Sequence, residues 1–561
     1  MIKKKYNESA CIISLLIVLL FLVVLIYLRN HGLYPMVFSD ELSYSKFSRI
    51  VPFSDASLPN YFYFFFYRIT NLCGNGYLDC ARIINLAFYL MSIPFIYLIG
   101  KATSSRRMSL FISVISFAGA SNSYTAYFMP EAMYYLSFWI ISWLALRIES
   151  EHGFLRWLTL GVAIGFASLI KPHALFLLPA IAVYAHYIIS GDGLGNCKKS
   201  FIAITLIILT SILVKIMLGF ALAGWSGVTM FGNFYAPYAE SAVSSGLPHY
   251  IFMAKHTLFS LFGHFVSISL IYGVPLAVVI NLFISCVLNG NNQIEKIDKL
   301  TVFTTLIIST LVLVSALYTA SISATTPGNH LHVRYYFFAL PLLFLVAASS
   351  VLGKSKSVIR KSIIAAPIAA AIIYVMITKL SGYEMYSSTA PELYGVVTNK
   401  AILMVISSIS LTTLILWVLF ERIGVAGYLM LFLPVMTACS LSVIDSELLK
   451  RKTPDVFDKA GVYSRVNLDQ DERNSTVIIG DSAAVGGLFR TLFYLDTPNL
   501  KYLDVNSKYS EIFGIVPNSD FNLSKISADK KYLIVIGKHE IFGETKVVHC
   551  EEDFCIRQIV R

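Results

Sequence analysis

Apolar runs long enough to cross a bilayer recur along this chain, separated by polar connections. Candidate spans lie at roughly 10–28, 82–100, 108–127, 131–148, 157–170, 174–190, 200–221, 264–286, 301–320, 335–352, 362–379, 400–420 and 424–444. They predict a bundle of about thirteen transmembrane helices. The pair between Trp157 and Ile189 is short and could instead be one re-entrant pair, which leaves the parity unchanged. From Glu447 the pattern shifts to polar sequence with strand-length apolar runs at Thr476–Ile479, Tyr502–Val505 and Tyr532–Ile536. Thr476 to Asp481 followed by an apolar stretch to Leu495 reads as strand, turn and helix, and Lys531 to Gly537 as another buried strand. Lys546–Cys550 and Cys555–Val560 flank Glu551-Glu552-Asp553-Phe554 as a hairpin. The chain therefore divides into a polytopic α-helical membrane domain, 1–446, and a small α/β soluble domain, 447–561.

Composition adds that no water-soluble globular protein of this size is expected. Over 561 residues the chain is 56% hydrophobic and 14% charged, with mean hydropathy +0.69. The first apolar run, Ile12 to Leu28, lacks a small-residue cleavage site and reads as a retained signal anchor. Lys3, Lys4 and Lys5 precede it and favour a cytoplasmic N-terminus. Threading the spans from there puts Lys101/Arg106/Arg107, Lys198/Lys199, Lys296/Lys299, Lys354/Lys356/Arg360/Lys361 and Arg422 in the cytoplasm. The outer face then carries a first loop, 29–81, a second, 222–263, shorter connections near His330 and Tyr383, and the C-terminal domain.

The formal net charge of +11 invites a nucleic-acid reading, but acidic and basic residues balance from Glu447 onward. The excess belongs to the membrane domain, where positive charge in short connections sets topology, so no nucleic-acid partner is expected. Of eight cysteines, Cys73 with Cys80 and Cys550 with Cys555 form close pairs. Both fall on the outer side, where disulfides persist.

Chemistry enters with Asp40-Glu41, about ten residues beyond the first span on the outer side. A carboxylate there can take a proton from a hydroxyl held within hydrogen-bond reach. Taken alone, an acidic doublet in a loop is a solvated surface feature. Two further outer turns change its company. Tyr127-Phe128-Met129-Pro130-Glu131 sets a second carboxylate at the start of the fourth span, a position that also suits a helix N-terminus. Lys171-Pro172-His173 sets a cation between two apolar spans, costly unless partnered, and an anionic headgroup is one candidate partner. The first loop also carries the aromatic run Tyr61 to Tyr67, which reads as one or two helices lying in the membrane interface.

In their order, Asp40-Glu41, Tyr127 to Glu131 and Leu169-Ile170-Lys171-Pro172-His173 through Pro179 resemble membrane glycosyltransferases of the GT-C fold. The chain looks most like bacterial relatives of protein mannosyltransferases and aminoarabinose transferases, including phage-type O-antigen glucosyltransferases. The resemblance spans residues 1 to about 350 through short motifs. It implies transfer of a sugar such as glucose from a polyprenyl-phosphate carrier to a hydroxyl of a periplasmic glycan or lipopolysaccharide. It also implies inversion at the anomeric carbon, in a bacterial inner membrane. By resemblance the catalytic pair is Asp40 and Glu41, either of which can be the base, with Asp40 ranked first and Glu41 and Glu131 orienting substrate or a divalent ion. No cofactor is required by the motifs, although a divalent metal at Asp40 and Glu131 is compatible with them.

A departing phosphate needs cationic stabilisation. Arg334, in Asn329-His330-Leu331-His332-Val333-Arg334-Tyr335-Tyr336, ranks first, followed by Lys171 and His173, with Arg68, Arg82, Lys255 and His256 as further substrate-binding candidates. The spacing of His256, His264, His330 and His332 matches no recognised metal site. Gly480-Asp481-Ser482 with Gly486-Gly487 lacks the full nucleotide-loop or nucleophile-elbow pattern and reads as a strand-to-helix turn.

Two other classes share many spans and outer loops. A lipid-linked oligosaccharide flippase would be built of inverted halves with charges buried mid-membrane, and neither is evident here. An O-antigen polymerase or ligase would rely on arginines and histidines in one late loop and tolerate loss of Asp40.

Overall fold

A computed structural model describes residues 2–36, 41–149, 151, 153–190, 197–232, 246–289, 294–322, 329–350, 357–480, 485–498, 502–504, 521–522, 526, 529–537, 539 and 541–560. Each predicted span contains α-helix, though several are shorter or interrupted. α1 (Ile2–Asn30) is followed by two short helices, α2 (Glu41–Arg49) and α3 (Tyr61–Tyr67), then by α4 (Tyr77–Met91), α5 (Ile93–Thr103) and α6 (Arg106–Ala118). After α7 (Glu131–Leu146) come α8 (Phe154–Ser168), α9 (Leu178–Ser190), α10 (Cys197–Ala223), α11 (Gly246–Asn289), α12 (Lys296–Ser321) and α13 (Pro341–Ser350). The bundle closes with α14 (Val358–Thr378), α15 (Pro391–Val397), α16 (Lys400–Leu419), α17 (Glu421–Gly427) and α18 (Leu433–Leu449). Among the described residues nine helical stretches are long and apolar enough to cross a membrane, and three shorter apolar ones accompany them. The protein is a multi-pass membrane protein.

As the two spans read from the sequence, residues 157–170 and 174–190 fall largely in separate helices, α8 and α9, joined by a 3₁₀ turn at Pro172–Leu177. Two sequence expectations change. The second outer loop is shorter than expected, because α11 already begins at Gly246. The third span is helical only to Ala118; its remainder, Ala120–Ala126, is a wholly buried 3₁₀ segment, since Gly119 adopts extended-type backbone and stops the helix.

Local chemistry explains the packing. Gly161 and Gly165, one turn apart on α8, face α10 so closely that a Cβ on Gly165 would stand 2.8 Å from the Ser211 carbonyl oxygen. Small residues let the two backbones meet, and the Ser211 hydroxyl donates to the Gly161 carbonyl at 3.0 Å. α11 contains Pro275 and breaks at Tyr272 (φ −117°, ψ 24°). Proline has no N–H for the Ile271 carbonyl, and the Tyr428 hydroxyl donates to that oxygen instead, at 2.7 Å.

The tail carries α19 (Val456–Asn467), α20 (Gln470–Asn474), α21 (Val485–Leu495) and strands β1 (Thr476–Gly480), β2 (Tyr502–Asp504), β3 (Phe521–Asn522), β4 (Tyr532–Ile536), β5 (Ile541–Phe542), β6 (Thr545–Glu551) and β7 (Phe554–Ile559). Five strands form one sheet in the order β2-β1-β4-β7-β6, parallel across β2-β1-β4 and antiparallel from β4 onward. β3 pairs with β5 apart from it. β1 and β4 are buried on both faces: Ile478 and Ile534 pack beneath α19 and α21, while Val477, Ile479, Leu533 and Val535 form the opposite layer. The small α/β layer read from the sequence is therefore present. Cys73 is bonded to Cys80, and Cys550 to Cys555 across the β6–β7 turn.

The tail domain docks on the segment around α2. The Tyr34 N–H donates to the Arg451 carbonyl at 2.8 Å, and the Arg451 guanidinium donates to the Pro35 carbonyl at 3.1 Å. On the far side of the doublet, Leu42 packs against the tail core and Arg49 grips Asp496 at 2.8 and 2.6 Å. Arg465 donates to the same carboxylate at 2.8 Å, and both guanidiniums lie over the Tyr77 ring.

Candidate active site

α1 ends against the 3₁₀ segment Ala120–Ala126 and the last span. Arg29 donates to the Asn122 side chain at 2.6 Å and to Asp445 at 2.9 Å, and Asn30 donates to the Thr125 hydroxyl at 2.8 Å. This end of the bundle gathers most of the sequence-predicted polar residues.

Glu131 and Lys171 meet there. Lys171 Nζ donates to Glu131 Oε1 at 2.9 Å, with both side chains almost fully buried (2% and 3% exposed). Glu131 starts α7 because Pro130 sets the first turn, and its other oxygen, Oε2, has no hydrogen-bond partner among the described residues. The turn bearing Lys171 is held by the first outer segment. Asn60 Nδ2 donates to the Ile170 carbonyl at 2.6 Å, and the Phe62 N–H to that of Leu169 at 3.0 Å.

Tyr335 ties the remaining cations to this pair. Its ring stacks on His173 with centroids 4.6 Å apart, and Lys171 and Arg334 lie over it at 5.4 and 5.3 Å. Arg334 is buried, and its backbone N–H donates to the Thr389 carbonyl at 2.8 Å. Thr389 Oγ1 also meets His330 Nε2 at 3.2 Å, and a bridge between His330 and Glu384 fixes the strand-like run before Arg334. His330 stacks on His332, whose two ring nitrogens are buried with no hydrogen-bond partner among the described residues. Burial, and then the nearby Arg334, pull the His330 imidazole down to about 4. Burial likewise holds His332 well below the usual range. Both rings are neutral near pH 7, so positive charge here comes from Arg334 and Lys171. Tyr335 and His173 also form one wall of an apolar cavity of about 450 Å³ between the Pro172 turn and α12, further walled by Phe176, Leu311 and Tyr318.

Asp40 lies outside the described residues. Glu41, its neighbour, is the first residue of α2, 1% exposed, and its Oε1 accepts the Phe128 N–H at 2.9 Å. It thereby fixes the run Tyr127 to Pro130 that delivers Glu131. Asn85 holds the same run by donating to the Tyr127 carbonyl at 2.7 Å.

Other candidates stand apart. Arg82 is buried against Asp79 (2.7 Å) and the Ala126 carbonyl (2.9 Å), bracing the 3₁₀ segment. Arg68 donates to the carbonyls of Ser48 and Val51 at the end of α2. Lys255 is exposed on α11, and no contact joins it or His256 to the cluster among the described residues. His264 bonds the Tyr336 hydroxyl at 2.9 Å as a packing residue. In the aromatic run Tyr61 to Tyr67, which forms α3, Tyr61, Tyr63, Phe64 and Tyr67 are buried within the protein, and Tyr67 bonds Asn85 behind the site. Of the two residues proposed for a metal, Asp40 lies outside the described residues and Glu131 Oε1 accepts from the Lys171 ammonium.

Tyr335 and Glu392 went unremarked in the sequence. Glu392 is a buried carboxylate in α15 that accepts both the N–H and the hydroxyl of Ser121 and so holds the Ala120–Ala126 segment. Burial raises its pKa. Its Pro391-Glu392 helix start was the available signal.

No family model and no curated protein matches this chain. Solved structures do. ArnT from Cupriavidus metallidurans bound to undecaprenyl phosphate is similar at 12% identity and a TM-score of 0.51, covering 97% of this chain and 98% of that one. The same protein in the apo state is similar at 13% identity, with the same TM-score and coverage. At such identity the likeness speaks for the fold, and it extends over nearly the whole of both chains, tail domain included. The chain has the ArnT-like GT-C fold over nearly its whole length.

Proposed function

We propose that this protein transfers a sugar from a polyprenyl-phosphate carrier to a hydroxyl of a glycan. The observation that carries the reading is the junction at Tyr335. A buried cation cluster of Arg334 and Lys171, with ring nitrogens on His332 and His173 that have no hydrogen-bond partner among the described residues, adjoins an apolar cavity of about 450 Å³. That pairing of chemistries suits a phosphate on a long hydrocarbon tail, and the solved ArnT complex contains undecaprenyl phosphate. Unsatisfied buried polar atoms in a native fold call for a ligand or water to satisfy them.

In this reading the acceptor O–H loses its proton to the Asp40 carboxylate while the oxygen attacks the anomeric carbon. The bond from that carbon to the phosphate oxygen breaks, and configuration inverts. Arg334 and Lys171 stabilise the lipid phosphate as its negative charge develops. Glu41 is committed to the Phe128 N–H, which favours Asp40 as the base. Glu131 holds Lys171 in place. No step is routed through a metal. We place the site on the periplasmic side of a bacterial inner membrane, with the N-terminus cytoplasmic, the donor sugar glucose or a similar hexose, and the acceptor a periplasmic glycan such as O-antigen.

The test is a reconstituted assay with undecaprenyl-phosphate-linked hexose and a lipopolysaccharide acceptor. Asp40→Asn is expected to lower kcat by at least about 100-fold with donor binding retained. Arg334→Ala is expected to weaken donor binding and lower kcat together. Wild-type transfer by a folded Asp40→Asn variant would remove the catalytic assignment. Transfer only from a diphosphate-linked donor would move the protein to the polymerase or ligase class.

A further inference from the structure

At the opposite end of the bundle, a second cavity of about 540 Å³ gathers four cations. α7 connects the two places: Glu131 is its first residue and Arg147 follows its last, so they stand about 24 Å apart along the helix axis. α12 does the same, carrying Lys296 and Lys299 at its start and Tyr318 near its end, on the wall of the apolar cavity. Arg156, in the first turn of α8, is the fourth cation.

These side chains are arranged around the space. The Arg147 guanidinium lies over the Trp143 ring at 4.6 Å, and Arg156 donates to the Arg147 carbonyl at 3.3 Å. Lys299 is largely buried, 4.0 Å from Glu149, the one carboxylate on the cavity wall. Leu98, Leu146 and Leu300 are among the apolar residues lining it. Orientation of the spans requires only that positive charge lie near their ends. Here cations from three separate helical segments converge on one cavity whose wall also carries leucines. That shape and charge match a lipid, with a phosphate among the cations and hydrocarbon against the leucines.

We infer that this cavity binds the phosphate-bearing headgroup of an anionic phospholipid. The site is distinct from the Tyr335 cluster and does not depend on what that cluster transfers.

The experiment uses the full chain in phosphatidylcholine nanodiscs doped with phosphatidylglycerol, with retained lipid counted by native mass spectrometry. Phosphatidylglycerol is expected to stay bound where phosphatidylcholine does not. Arg147→Gln and Lys299→Gln are each expected to weaken its binding about fivefold, and Glu149→Gln to strengthen it by a similar factor. Lys296→Gln, at an exposed helix start, gives the same readout if the buried Lys299 variant fails to fold. Equal retention of the two lipids, or wild-type binding in Arg147→Gln/Lys296→Gln, overturns the inference. A parallel titration with inorganic phosphate separates the sources: phosphate binding without lipid retention assigns the cavity to a soluble anion and overturns the lipid assignment.

Discussion

The Glu131–Lys171 pair shows how one buried contact constrains chemistry. Two ions removed from water hold each other at 2.9 Å, and deleting either leaves the other uncompensated. Lys171→Met is therefore expected to destabilise the protein by roughly 3 kcal/mol, and Glu131→Gln/Lys171→Met to recover most of that, as read by thermal unfolding in detergent. Activity should not recover in the double variant if Lys171 also steadies the leaving phosphate. A double variant as active as wild type would reduce the pair to a structural one. The sequence made both residues conspicuous, because a charge beside apolar spans needs a reason. It could not pair them: forty positions separate them, and their contact exists only because α7 and the Pro172 turn pack at one end of the bundle. Tyr335 was invisible for the same cause, being one tyrosine among 33 until His173, Lys171 and Arg334 closed on its ring.

At the level of elements, α2 is the lever of the site. Glu41 begins it and Arg49 ends it, so the Arg49–Asp496 grip by the tail domain fixes the helix that carries the doublet's second carboxylate. Arg451 holds Tyr34 and Pro35 on the other side of the doublet. The tail domain thus holds the described chain both before the doublet, at Tyr34 and Pro35, and after it, at Leu42 and Arg49. Asp496→Asn is expected to raise hydrogen exchange in α2 and to lower kcat about tenfold or more, with donor binding little changed. Arg49→Asp/Asp496→Arg should restore part of the loss. Unaltered exchange in α2 would show that the contact does not position the helix. Helix α2 itself was not evident from the sequence. It is nine residues long and polar on average, too short to reveal a period of its own, and it is stabilised by packing against α3 and the tail.

For the whole molecule, the thirteen spans read from the sequence would put the two termini on opposite sides. A membrane-impermeant thiol reagent is expected to label reduced Cys550 and Cys555 from outside intact spheroplasts, and Cys197 only after the membrane is opened. The reverse pattern would invert the proposed topology. The many-spanning helical character, the polar tail and its strand runs were legible in the sequence, because apolar length and period are local properties that survive without tertiary contacts. The candidate residues were visible too, as charges standing where a bilayer makes them costly. Their assembly was decided by tertiary structure alone. Packing closed the Tyr335 cluster beside an apolar cavity, turned Arg82 toward Asp79, committed Glu41 to a backbone N–H and set the tail domain across α2. Which buried charges meet depends on the crossing of helices distant in sequence, and no local pattern encodes that.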